Sequence, residues 1–158
     1  MIYATLKTVH VLSIMVWIGG MVFAHFFLRP SVAQLEAPVR LRLMHDVLAR
    51  FFQAVLVASL LTLTTGVWML GRVAKQVVQS GGNFDMPLAW TVMAALGVAM
   101  VAIFMHIRFA LFKKLDRAVA ASDWGAGGAV LTQIRTWVSV NLGLGVLVML
   151  VTLMRWTN

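Results

Sequence analysis

Residues 7–30 read KTVHVLSIMVWIGGMVFAHFFLRP. The run is apolar enough to cross a bilayer, yet it carries His10, His25, Trp17 and the glycine pair Gly19 and Gly20. An ionisable side chain inside a membrane span is expensive, so a functional role is the default reading of such histidines. The remainder of the chain reads as a bundle built around this helix.

Composition supports a membrane environment. Of 158 residues, 61% are hydrophobic and 11% charged, whereas soluble domains carry about 25% charged residues. The mean hydropathy is +0.92. A chain with so few polar groups cannot cover its own surface and needs lipid as part of its solvent. Four apolar runs are long enough to span, at about residues 2–28, 51–70, 86–107 and 137–154. Each is close to the ~20 residues that a ~30 Å hydrocarbon core demands. Only helices or closed barrels satisfy their backbone polar groups in lipid, and strand-like alternation is absent. The expected fold is therefore an all-α integral membrane four-helix bundle, up-down-up-down, in one domain over residues 1–158. The first run lacks a charged leader and a small-residue cleavage site, so it is expected to be a retained helix.

Between the spans lie three expected loops, at 29–50, 71–85 and 112–135. The stretch RLRLMHDVLAR in the first suits an interfacial turn of helix. Gly81 and Gly82 read as a turn, Pro87 suits the start of the third helix, and the cluster GAGG at 125–128 reads as loop. The first and third loops with their flanks hold nine basic residues, Arg29, Arg40, Arg42, Arg50, Arg108, Lys113, Lys114, Arg117 and Arg135. The termini and second loop hold four, Lys7, Arg72, Lys75 and Arg155. This bias predicts a cytoplasmic first and third loop, with both termini periplasmic, in a bacterial inner membrane. Trp68, Trp90, Trp137 and Trp156 stand near span ends, as interfacial anchors do. The net charge of +8 belongs to these span ends. No basic patch interleaved with aromatics in a polar context exists, which argues against nucleic acid.

The absence of cysteine excludes disulfides, thiol catalysis and thiolate metal sites. All five carboxylates, Glu36, Asp46, Asp85, Asp116 and Asp123, fall in the expected loops, so a carboxylate proton relay within the membrane has no support. Histidine and methionine remain. At ~1.5 Å per residue, His10 lies roughly 7 Å to the outer side of its helix's midpoint, His25 roughly 15 Å to the inner side, and His106 roughly 10 Å to the inner side of its own. The ~22 Å between His10 and His25 prevents them from sharing an ion. His10, Ile14, Trp17, Met21, His25 and Leu28 share one helix face. Ala95, Ala99, Ala102, His106 and Ala110 share another, a stripe that packs a neighbouring helix or admits a flat cofactor.

Two sites are compatible with these depths. His25 and His106 could ligate one haem iron from opposite helices. Alternatively, His10 lies level with Met93 and Met149, and imidazole with thioether is a soft set suited to Cu(I). Methionine is also an ordinary core filler, and interfacial His25 and His45 suit headgroup or water contact. Lys7 either snorkels to the outer interface or holds an anionic group such as a haem propionate. Asn141 reads as a hydrogen-bonding group between helices, or as support for a ligand together with Arg135. Thr62, Thr64 and Thr65 are expected to bond their own helix carbonyls.

Lys7-Thr8-Val9-His10-Val11 followed by Trp17-Ile18-Gly19-Gly20 resembles the opening of the copper-resistance protein D (CopD-like) family of bacterial membrane proteins. ARFFQ at 49–53, TTG at 64–66 and QIRTWVSVNLGLG at 133–145 extend the resemblance. It implies copper handling at the inner membrane, in uptake or resistance, with His10 the first residue to carry over. In outline the chain is also similar to membrane haem-b protoporphyrinogen oxidases, through His10, His106, Arg135 and Asn141. That family expects a lysine early in helix three, where this sequence has Leu88, Ala89 and Trp90. Three functions follow: a copper-handling membrane protein with a histidine-ligated centre, a small b-type cytochrome or oxidoreductase, and a cofactor-free accessory subunit. The implied partners are the bilayer, a copper ion or haem b, a membrane or periplasmic redox or copper partner, and a second copy of the chain.

Overall fold

The computed structural model describes residues 1–154; Arg155 and Trp156, used above for charge and anchoring, lie outside the described residues. Four helices are long and apolar enough to cross a membrane: α1 (Ile2–Ser31), α2 (Ala37–Gln79), α3 (Leu88–Ala120) and α4 (Trp124–Met154). No strand occurs among the described residues. The first helix packs mainly on the second and the third on the fourth, while α4 also touches α1 and α2.

The helices run beyond the apolar windows. With 43 residues, α2 is ~65 Å long, about twice the hydrocarbon thickness. Its first turns come from the charged stretch RLRLMHDVLAR, which is amphipathic and buries Leu41, Met44 and Leu48. The end of α3, FKKLDRAVA, likewise buries Phe112, Leu115 and Ala118. The expected third loop is thereby corrected: residues 112–135 are almost wholly helical, and the turn is confined to Ala121–Asp123. Ser122 there takes a left-handed φ of 55°. Asp123 then starts α4 by accepting a hydrogen bond from the Ala126 backbone N–H at 2.9 Å, as an N-cap does. The GAGG cluster lies inside α4, where Gly127 is buried and a Cβ would sit 3.3 Å from Leu41 Cδ1. Of its glycines, Gly127 serves close helix packing. Gly81, with φ +82°, does form the expected turn after α2.

Two π-helical segments interrupt the α geometry, Phe23–Leu28 in α1 and Ile107–Leu111 in α3. The first precedes Pro30, which lacks an N–H and whose ring crowds the preceding turn. The Arg29 N–H accordingly bonds back to the Ala24 carbonyl.

The core is densest toward the end of the bundle where α1 meets α2. Phe52 is 1% exposed and packs edge-on to Phe104 and Phe112, at ring separations of 6.0 and 5.4 Å. Trp17 meets Phe104 at 5.9 Å. Of the glycine pair, Gly20 faces the Phe51 ring, which a Cβ would strike, whereas Gly19 has open space. Val57, Val67 and Leu153 are 58–70% exposed, a lipid-facing surface that water would not tolerate. The alanine stripe Ala95, Ala99, Ala102 and His106 lies on this outer surface. On α3 the bulkier Met100, Phe104 and Ile107 turn inward instead, because they bury more apolar area per residue. The stripe therefore forms no cleft within the bundle.

Candidate metal centre

His10 projects from α1 against α2, half-buried. Its Nδ1 lies 3.0 Å from the Thr65 hydroxyl oxygen. The Thr65 hydroxyl has one proton, and two backbone carbonyls compete for it: Leu61, at close range, and Thr62, at 3.3 Å. The hydroxyl therefore donates to its own helix and accepts from the imidazole, so Nδ1 carries the ring proton. Gly66 makes room: a Cβ there would be 3.2 Å from His10 Cε1. With Nδ1–H held, Nε2 keeps its lone pair. Histidine ligands in metalloproteins commonly have this arrangement, with the far N–H fixed by a protein acceptor.

The remaining polar atoms nearby are sparse. The Thr62 hydroxyl is buried without a partner. Among the described residues, no group of three or more histidine or acidic side chains gathers to hold a metal. A shared reference level is set by Ile18, Met100 and Gly145, which meet in the bundle. Counting outward at ~1.5 Å per residue, His10 lies ~12 Å, Met93 ~10 Å and Met149 ~6 Å from that level. Met93, half-buried, is thus nearly level with His10. Met149 is one turn nearer the centre and 45% exposed. The direct polar partner of His10 belongs to α2, not to the helices carrying these methionines. Lys7, one turn farther out, is exposed.

The structure does not bring His25 and His106 together. His25 Nδ1 lies 3.3 Å from the Ser139 hydroxyl, while His106, exposed, packs edge-on to Trp137 at 5.5 Å. Trp137 and Ser139 are two residues apart, hence ~200° around α4, so that helix stands between the two imidazoles. His45 has partners within the protein. It stacks on Phe112 at 5.2 Å and 9° and bonds Asp46 at 3.2 Å and Asp116 at 3.0 Å, tying α2 to α3. Asn141 is 1% exposed and donates Nδ2–H to the Met100 carbonyl at 3.3 Å, with Oδ1 unpaired. This is the interhelical bond expected of it. Arg135 is exposed and lines a cavity with His25, far from His10.

Thr65 is the participant that sequence reasoning assigned only to its own helix. It does bond there, but the same oxygen serves His10. The threonine next to Gly66, in the TTG stretch, was the available signal.

The fold defines a class: a multi-pass membrane protein of four helices. Within that class, the profile of the copper resistance protein D family matches residues 45–155, and the chain belongs to that family. No curated protein and no solved structure matches it.

Proposed function

We propose that this copper-related membrane protein handles Cu(I) at His10, with the ion as its cargo. The supporting observation is the Thr65 hydroxyl, which spends its proton on α2 and so orients Nε2 of His10 as the free, ligating nitrogen. Imidazole with thioether suits a soft monovalent ion. Met93 supplies the thioether nearest in depth, and Met149 is the next candidate. With both termini outward, as the basic-residue bias indicates, His10 lies in the outer half of a bacterial inner membrane, accessible to copper from the periplasmic side. In this reading His10 binds the ion, Thr65 and Gly66 fix the ring, and the apolar core beneath Trp17 closes the way to water.

Copper titration of the purified full chain tests this. His10→Ala should abolish stoichiometric Cu(I) binding, Met93→Leu should weaken it, and His45→Ala should leave it unchanged. Equal losses in the His10 and His45 variants would contradict the assignment. A Soret band in the purified protein would redirect the reading to haem.

A further inference from the structure

A second concentration of charge lies at the opposite end of α1. Arg29, Arg40 and Arg135 converge on one cavity of about 310 Å³ between α1, the start of α2 and α4. Arg29 and Arg135 are close enough to repel one another. Arg40 is held at the cavity by donating Nη1–H to the Ala33 carbonyl at 3.2 Å. None of the three has a carboxylate partner among the described residues, where the ion pairs are those of His45 with Asp46 and Asp116. Glu36, in the adjoining turn, forms none. Three cations gathered without a counter-charge from the chain favour an anion from outside it. His25, bonded to Ser139, adds a polar group to the same wall.

Apart from Thr132, the rest of the cavity is apolar. Leu41, Leu48, Ile134 and Val138 line it, and on the same π-helical segment of α1 Phe26 and Phe27 are 59% and 61% exposed. A ligand matched to this surface has an anionic end and a hydrocarbon remainder. Basic pockets between membrane helices recognise anionic lipid headgroups in this way. We propose that the cavity binds an anionic phospholipid, its phosphate between Arg29 and Arg135 and its chains on the apolar wall. The site is independent of the copper reading, since it shares no residue with His10 or Thr65.

The test is native mass spectrometry of the full chain in neutral detergent, titrated with phosphatidylglycerol, phosphatidylcholine or inorganic phosphate. Phosphatidylglycerol should bind at least about tenfold better than phosphatidylcholine, and each arginine removed should cost about fivefold. R29Q/R135Q should therefore reduce phosphatidylglycerol to the level of phosphatidylcholine. Both arginines are exposed, so their loss leaves the core intact. R72Q/K75Q removes the same charge at the far end of α2 and should change nothing. Equal binding of the two lipids, or equal loss in R72Q/K75Q, would overturn the proposal. So would displacement of phosphatidylglycerol by inorganic phosphate at matched concentration, which would assign the site to a free anion.

Discussion

Replacing Thr65 by valine keeps the shape of a buried side chain, 6% exposed, and deletes only the hydroxyl that receives the His10 Nδ1–H at 3.0 Å. The helix loses little, since Leu61 and Thr62 retain their backbone hydrogen bonds. The imidazole loses the acceptor that selects its tautomer and orientation. Removing such a supporting partner typically weakens metal binding 10–100-fold, or about 1.4–2.7 kcal/mol. Thr65→Val should therefore bind Cu(I) some 10–100-fold more weakly in competition with a chromophoric chelator, while Thr65→Ser, which retains the oxygen, should stay near wild type. Thermal unfolding of the same samples should differ by no more than about 1 kcal/mol. Wild-type copper affinity in Thr65→Val would refute the argument that Thr65 sets the ligating nitrogen.

Other perturbations read the fold. Gly20→Ala places a Cβ against the Phe51 ring and should destabilise by about 1–3 kcal/mol in detergent unfolding. Gly19→Ala, with open space around it, should stabilise by up to ~1 kcal/mol. Asn141→Leu removes one weak bond together with an orphaned oxygen, so its melting should shift by no more than about 1 kcal/mol. Asn141→Asp should cost about 2.5 kcal/mol or more. A reporter fused after Asn158 should read as periplasmic, from the nine-to-four distribution of basic residues; a cytoplasmic signal would invert the bundle.

The spans were legible because hydropathy alone decides them, but their ends were not. Arg40, Arg42 and Arg50 break the apolar run without breaking the helix, since their side chains leave Leu41, Met44 and Leu48 on one buried stripe. The same holds for Lys113, Lys114 and Arg117 around Phe112 and Leu115. Glycine at 125–128 reads locally as a breaker, and only the approach of Leu41 to Gly127 explains it as helix. On α1 the helical period groups Trp17 and Met21 on one face, and that face turns inward. On α3 the same period marked out the alanine stripe, but nothing in it says which face turns to lipid. The neighbours of the histidines are less legible: depth and face locate a residue on its own helix, yet not the side chain it meets, so nothing in the sequence singles out the Thr65 hydroxyl on α2 as the partner of His10. His25 and His106, matched by depth, have α4 between them.

The proposed site places copper at His10. X-ray absorption at the copper edge, measured on copper-loaded wild-type and His10→Ala protein with metal content determined on the same samples, tests it most directly. Wild-type protein should show bound copper with imidazole scattering, and His10→Ala should lose both. Undiminished copper with imidazole scattering in His10→Ala would contradict it.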